Sequence, residues 1–402
     1  MIDFPANPTL GQTFTSPNGT AWTWDGAKWT SGATGSGFLP LSGGTLTGPL
    51  TLNADPTAAL QPATKEYVDG PVAALWSNIR YPNRIINGDM AVDQRHGGAA
   101  ITLPAGTGYS IDRWACRGQG VGNAQQTALG QASRPPAGFP FALSWVSTAA
   151  HAVAAGDYTQ FTQAIEGYNF NDANWGTASA QPVVLEFWAT ATQTGTFAGA
   201  LQNAAQNRSY VFTYNIPVAN TWTKIRISIP GDTAGTWAVA SAVSAASVIF
   251  NLGAGSTYAA TAGAWTAGLF LTTSGAVNVV ATLNASLIIT GVALMVGAAA
   301  VNAEPEFKKY SDNLIDCMRY FNTSQVAFVG YGIAANVYYA SAYFQALMRV
   351  SPTFVITANN SNNFTESSMT AVTGFSGVTL LGTATATGSY TSNYKITADA
   401  DF

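Results

Sequence analysis

The sequence predicts a mainly β protein: a small N-terminal β unit, a thin shaft with short helices, a β-sandwich of jelly-roll type and a C-terminal β-rich tip. Three observations carry this. Side chains alternate between two faces, one of them wholly apolar, in segments such as 183–189 and 225–229, the period of a strand. Clusters of Gly, Pro, Asn and Asp separate those segments, as between consecutive strands. Only 9% of the residues are charged, whereas 11 Trp, 16 Tyr and 20 Phe supply ample apolar surface, which excludes a disordered chain.

Residues 1–34 read as a separate β unit. Pro17-Asn18-Gly19 and Asp25-Gly26 mark turns, and Phe14, Trp22, Trp24 and Trp29 are expected to cluster. So short a unit holds little core and is expected to dock on something larger. Residues 35–80 follow as linker and shaft. The stretch 31–37 is rich in Gly and Ser, a flexible composition. Leu46, Leu50 and Leu52 then sit among Gly and Pro, where one chain cannot close a core around them. Asp55 is expected to cap a short helix to about Asp69 carrying Leu60, Ala63 and Tyr67, and a second helical piece carries Leu75 and Trp76. Helices of this length are marginal alone, so packing against identical partners is expected.

Residues 81–303 read as the jelly roll. Val183, Leu185, Phe187 and Ala189 share one strand face, with Glu186 and Trp188 on the other. In 221–230, Ile225, Ile227 and Ile229 face inward, and Trp222, Lys224 and Arg226 outward. Residues 287–301 are apolar apart from Thr290, but they are too few to span a bilayer and include Gly291 and Gly297. Two consecutive buried strands and no membrane insertion are expected there. Residues 304–402 form the tip: a helix over 310–321 with Leu314, Met318 and Phe321 on one face, then strands over 326–331, 337–348 and 353–357. Tyr338 and Phe344 share one parity and Tyr339 and Tyr343 the other, so one pair fills the core and the other faces a partner or receptor. The polar run 359–368, with Asn360, reads as a loop suited to recognition.

Several chemistries are excluded. Sixteen Lys plus Arg against twenty Asp plus Glu give a net charge of −4, the wrong balance for nucleic acid. Cys116 and Cys317 match no disulfide or metal spacing, and His96 and His151 are isolated. No metal, cofactor or nucleophile–His site is expected. The N-terminus lacks the basic region and apolar run of a signal peptide, so synthesis in a cytosol is expected.

The segment 39–69, with Gly43-Gly44-Thr45-Leu46-Thr47-Gly48-Pro49-Leu50 followed by Ala63-Thr64-Lys65-Glu66-Tyr67-Val68-Asp69, resembles the shaft of tailed-bacteriophage tail fibres. Thr23-Trp24-Asp25-Gly26, Asn83 to Met90, Cys317 to Phe321 and Ile396 to Phe402 are similar to fibre segments too. Residues 81–303 resemble the carbohydrate-binding-module-like jelly rolls of such fibres. The departure is Pro62 and Gly70-Pro71, which interrupt the helical region of a long coiled coil.

The resemblance implies a thin trimeric shaft, packed through Leu46, Leu50, Leu52, Leu60, Tyr67 and Leu75. It implies a virion protein made in the host bacterial cytoplasm, with residues 1–34 mounting it on other tail, baseplate or collar proteins. Its partners would be two further copies and a host-surface glycan or protein. Sugar recognition needs flat aromatic faces beside hydroxyl-reading side chains, which Glu186 with Trp188, Trp222 with Lys224 and Arg226, and Tyr339, Tyr343 and Asn360 could offer. A capsid- or collar-mounted fibre is one alternative. A polysaccharide depolymerase is another, with Glu166, Asp172, Glu186, Asp89 and Asp93 as candidate carboxylates; an adhesion role without catalysis is expected over it.

Overall fold

The computed structural model describes residues 2–31, 51–57, 61–68, 80–102, 107–120, 124–127, 135–371 and 375–402. The chain divides into two compact units, Met1–Pro71 and Val72–Phe402.

In the first unit, β1 (Thr13–Thr15), β2 (Ala21–Trp24) and β3 (Trp29–Thr30) form an antiparallel sheet. Its hairpin turns where Gly19 takes a φ of +84°, a conformation that costs Gly little. The aromatic cluster forms as expected and gains Phe4, which stacks on Trp29 at 5.3 Å and meets Phe14 and Trp22 edge-on. Residues 65–68 are helical, but their cap is Thr64, whose Oγ1 accepts the Tyr67 N–H at 3.0 Å. Asp55 does not cap a helix; its carboxylate accepts the Thr64 hydroxyl. Leu52 is half-buried and Tyr67 is exposed. Leu46, Leu50, Leu60 and Leu75 lie outside the described residues.

The second unit holds two sandwiches. In the larger, a seven-stranded antiparallel sheet contains, in spatial order, β16 (Trp265–Ala267), β13 (Arg208–Ile216), β12 (Gly195–Asn203), β15 (Ser244–Ala254), β10 (Tyr158–Glu166), β7 (Trp114–Gln119) and β6 (Thr107–Ile111). It faces a six-stranded sheet of β14 (Thr223–Ile229), β11 (Val183–Ala191), β17 (Ser286–Val296), β9 (Leu143–Ser147), β8 (Ala124–Thr127) and β5 (Ile101–Thr102). Their inner faces bury Phe161, Phe187, Phe212, Phe250 and Trp145. A parallel pair, β4 (Arg80–Pro82) with β18 (Glu304–Glu306), lies at the two ends of this sandwich sequence.

Residues 287–301 form one strand and a 3-10 turn, not two strands. β17 runs unbroken to Val296, after which Gly297 turns the chain into 298–302. The single long strand survives because Gly291, at a φ of +61°, takes up a register shift opposite Glu186 and Trp188.

The smaller sandwich contains the sheets β19 (Phe321–Gly332), β24 (Gly388–Asp399), β21 (Thr353–Asn362) and β20 (Val337–Tyr343), β23 (Gly377–Ala384), β22 (Phe364–Ala371), in those orders. Phe328, Phe364, Leu380, Tyr394 and Ile396 fill its core. The polar run 359–368 is therefore two strands and not a loop. Asn363, at a φ of +57°, makes the corner between the sheets, its side chain bonding to the carbonyls of Ala386 and Ser389. The preceding helix spans Tyr310–Met318 and buries Asn313 and Cys317; Phe321 begins the next strand.

Candidate functional site

The expected Trp-and-charge patch maps to the outer face of the six-stranded sheet. Antiparallel pairing of β11 with β14 sets Glu186 opposite Arg226 and Trp188 opposite Lys224. The alternation therefore places these side chains on the face away from the core. That face is covered, however. Residues 298–304 fold over it, and Glu186 is only 3% exposed. Its carboxylate meets Lys224 Nζ at 3.0 Å and Arg226 Nη1 at 3.3 Å, while Lys224 also reaches Glu304 at 3.4 Å. Arg226 Nη2 donates to the carbonyls of Ala300 (3.1 Å) and Ala303. Glu186, Lys224 and Arg226 thus hold a segment down, and Glu186 is closed to a ligand. Trp188 and Trp222 are half-buried.

In the tip, the parity question is resolved. Tyr338 packs against the core and Phe344 is half-buried beside it, while Tyr339 and Tyr343 are 68% and 71% exposed. They share an outer face with Val337 and Ser341, and the pairing with β23 sets Leu381 beside Tyr339 and Thr379 beside Ser341. The Ser341 and Thr379 hydroxyls are 2.9 Å apart. Asn360 is exposed on β21, in the opposite sheet, and pairs with Asn393. The structure therefore brings Tyr339 and Tyr343 together and leaves Asn360 on the other side.

The candidate acids are engaged within the chain. Glu166 is 1% exposed and accepts the Tyr320 hydroxyl at 2.7 Å and Arg319 Nη2 at 3.2 Å. Asp172 pairs with Arg84. Asp89 accepts Asn313 Nδ2 at 2.9 Å, and burial raises its pKa. Asp93 accepts the N–H groups of His96 and Gly98, a turn role. Among the described residues, no three His, Cys, Asp or Glu side chains are grouped to hold a metal ion, and burial pushes the Cys317 thiol well up, away from reactivity.

A second surface escapes the sequence analysis. The outer face of the seven-stranded sheet carries a cleft of about 180 Å³ lined by Arg117, Gln160, Thr162, Gln202, Ser247 and Ile249, among others. Register builds it in rows: Arg117 beside Gln160, Thr162 beside Ile249, and Ala164, Ser247 and Gln202 in line. The available signal is the Thr159 to Gln163 run, in which polar residues occupy both parities of a strand that is buried on both faces.

No protein-family model matches this sequence, and no curated protein does. Solved structures do. An enzymatically active domain of tailspike protein 4 from bacteriophage CBA120 is 16% identical, with a TM-score of 0.30, over 53% of this chain and 21% of that one. The chain thus spans about a fifth of that protein. A family 11 carbohydrate-binding module from Clostridium thermocellum, in complex with a β-1,3-1,4-mixed-linked tetrasaccharide, is 10% identical with a TM-score of 0.25, over 52% of this chain and 99% of that one. A protein from Bacteroides thetaiotaomicron described as a candidate sugar-binding protein is 11% identical with a TM-score of 0.27, over 53% of this chain and 99% of that one. Scores this low carry no argument about function. The class, a β-sandwich protein, is defined by the chain's own sheets.

Proposed function

We propose that this chain is a non-catalytic adhesion subunit of a tailed-phage fibre, a homotrimer whose distal part contacts a host-surface glycan. In this reading residues 1–34 join it to other virion proteins, and it is made in the host cytoplasm. The observation that carries the reading is the outer face of the β20–β23–β22 sheet, where Tyr339 and Tyr343 are largely exposed beside Ser341 and Thr379. Exposed tyrosines supply flat apolar rings with a polar edge, and with exposed Val337 on the same face they form a contiguous apolar patch of the kind that marks an interaction surface. Engagement of every candidate acid by a chain partner favours adhesion over hydrolysis. Three copies multiply a weak contact through effective concentration.

The test is competition. Purified full-length chain is expected to block adsorption of the parent particle to host cells, and the Tyr339→Ala/Tyr343→Ala variant to block it at least about tenfold less well. Equal competition by both proteins overturns the reading. Light scattering that finds a stable monomer overturns the trimer.

A further inference from the structure

We infer that the cleft on the outer face of the seven-stranded sheet binds one neutral sugar ring, held by side-chain hydrogen bonds rather than by ring stacking. The choice of ligand class rests on the adhesion reading; the site itself rests on the cleft. Gln160 and Thr162 both line it, and they are 4% and 2% exposed. Gln160 Oε1 and Thr162 Oγ1 have no hydrogen-bond partner among the described residues. Buried polar atoms are nearly always paired, and an unpaired one is costly. Two of them, two residues apart on one strand, line the same cleft and are set to receive donors from outside the chain. Thr159 Oγ1 on that strand, and Trp145 Nε1 and the Tyr214 hydroxyl elsewhere in the sandwich, also lack partners among the described residues but do not line it.

The rest of the cleft narrows the ligand. Gln160 Oε1 needs a donor, and Thr162 Oγ1 can donate or accept. Ser247 and the amide of Gln202 complete the neighbouring row. Gln202 Nε2 is already committed to Ser209 Oγ and the Phe270 carbonyl at 3.2 and 3.1 Å, so it supplies a fixed wall. Alternate residues on a strand stand roughly 6.8 Å apart, a reach that spans opposite hydroxyls of a pyranose. Ile249, paired with Thr162, supplies an aliphatic floor position, with Ala164 and Ala204 also lining the cleft. The volume suits a monosaccharide rather than a long ligand. No acidic side chain lines the cleft. Its one cation, Arg117, donates from Nη2 to the Phe402 carbonyl at 3.4 Å and has an Nε without a partner among the described residues, a further donor for a ligand hydroxyl. Stacking is not available: Phe402 is the lining aromatic, and its ring lies under the Arg349 guanidinium at 3.8 Å.

Full-length protein is titrated with glucose, galactose, mannose and N-acetylglucosamine, and with glucuronate as the charged control. Methyl-labelled protein is expected to show Thr162 and Ile249 shifts with at least one neutral sugar. Gln160→Met and Thr162→Val remove the unpaired atoms at nearly constant volume and are each expected to weaken that binding about tenfold while leaving the unliganded melting temperature unchanged or higher. The Tyr339→Ala/Tyr343→Ala variant is expected to bind the free sugar normally. Absence of methyl shifts with every neutral sugar, or binding indifferent to both cleft variants, overturns the inference; so does tighter binding of glucuronate. If the cleft fails in this way while the tyrosine variant still loses competition for cells, the adhesion reading stands without it.

Discussion

Arg113 and Asp401, 288 residues apart in the chain, form an ion pair in which neither side chain is more than 1% exposed. Arg113 sits between β6 and β7 of the large sandwich, and Asp401 follows the last strand of the tip, so the pair ties the two sandwiches together. Arg95 reaches Asp401 as well, at 2.9 Å, and Arg113 lies 3.6 Å over the Tyr320 ring. Removing one partner of a buried pair strands the other charge in a poor dielectric, at a cost of about 3–5 kcal/mol. Asp401→Asn is expected to lower unfolding stability by that amount in urea titration. The Arg113→Met/Asp401→Leu double variant should lose less than the two single changes together; strict additivity would show that the pair is not coupled.

Asp112 is buried and stands next to this junction, accepting the Gln94 N–H at 2.6 Å and Gln94 Nε2 at 3.1 Å. Burial raises its pKa to about 6 against the combined pull of those bonds and Arg95. The folded state therefore holds a proton between about pH 3.8 and 6 that the unfolded state has released. Stability from this group accordingly falls as pH rises through that window and is flat above it. Asp112→Asn is expected to be more stable than the parent at pH 7, by up to about 3 kcal/mol, with the advantage disappearing towards pH 4. Thermal unfolding of both proteins across that range checks this, and a constant difference would place the charged carboxylate in the fold at no cost.

How far these features are legible in sequence depends on range. Alternation suffices for Val183, Leu185, Phe187 and Ala189, all of which are fully buried, because period two is a local property. It also puts Glu186 and Arg226 on the correct face. It carries no information about residues 298–304, which come from more than seventy positions beyond Arg226 to cover that face. The same limit applies to the helix Tyr310–Met318: hydrophobicity favours Leu314 and Met318, yet the buried pair is Asn313 and Cys317. Asn313 goes in because its side chain takes the Asn87 N–H and donates to Asp89. The partners of a buried amide are tertiary facts. Trp175, Trp237 and Trp265 likewise have no assignable role in sequence, and they form a mutual edge-on cluster with centroids 4.6 to 5.5 Å apart.

The Glu186 network gives a sharper separation of structure from recognition. Glu186 is nearly closed to solvent, whereas Lys224 is 37% exposed. Glu186→Ala removes the buried carboxylate beneath residues 298–304 but leaves Lys224 and Arg226 their contacts with Glu304, so it is expected to cost about 2 kcal/mol, less than a fully stranded charge. Lys224→Gln removes a half-solvated partner and should cost under about 1 kcal/mol. Urea midpoints give both values. Neither change is expected to alter competition for host cells beyond its effect on the folded fraction; a folded Lys224→Gln protein that fails to compete would return this face to the recognition surface.

Gly291 offers a test of the strand it bends. At a φ of +61° any side chain costs about 1 kcal/mol or more, and a Cβ added there would lie 2.6 Å from the Phe139 ring. Overpacking of that kind adds about 1–3 kcal/mol. Gly275 separates the two contributions, because its φ is +81° but a Cβ there meets nothing within 4 Å. Gly275→Ala is expected to lose about 1 kcal/mol, and Gly291→Ala about 2–4 kcal/mol. The excess should fall when Phe139→Leu is combined with Gly291→Ala, since the smaller side chain vacates the ring position. If instead the two glycine variants unfold at the same urea concentration, Phe139 moves aside freely and the register shift opposite Glu186 and Trp188 is held by backbone conformation alone.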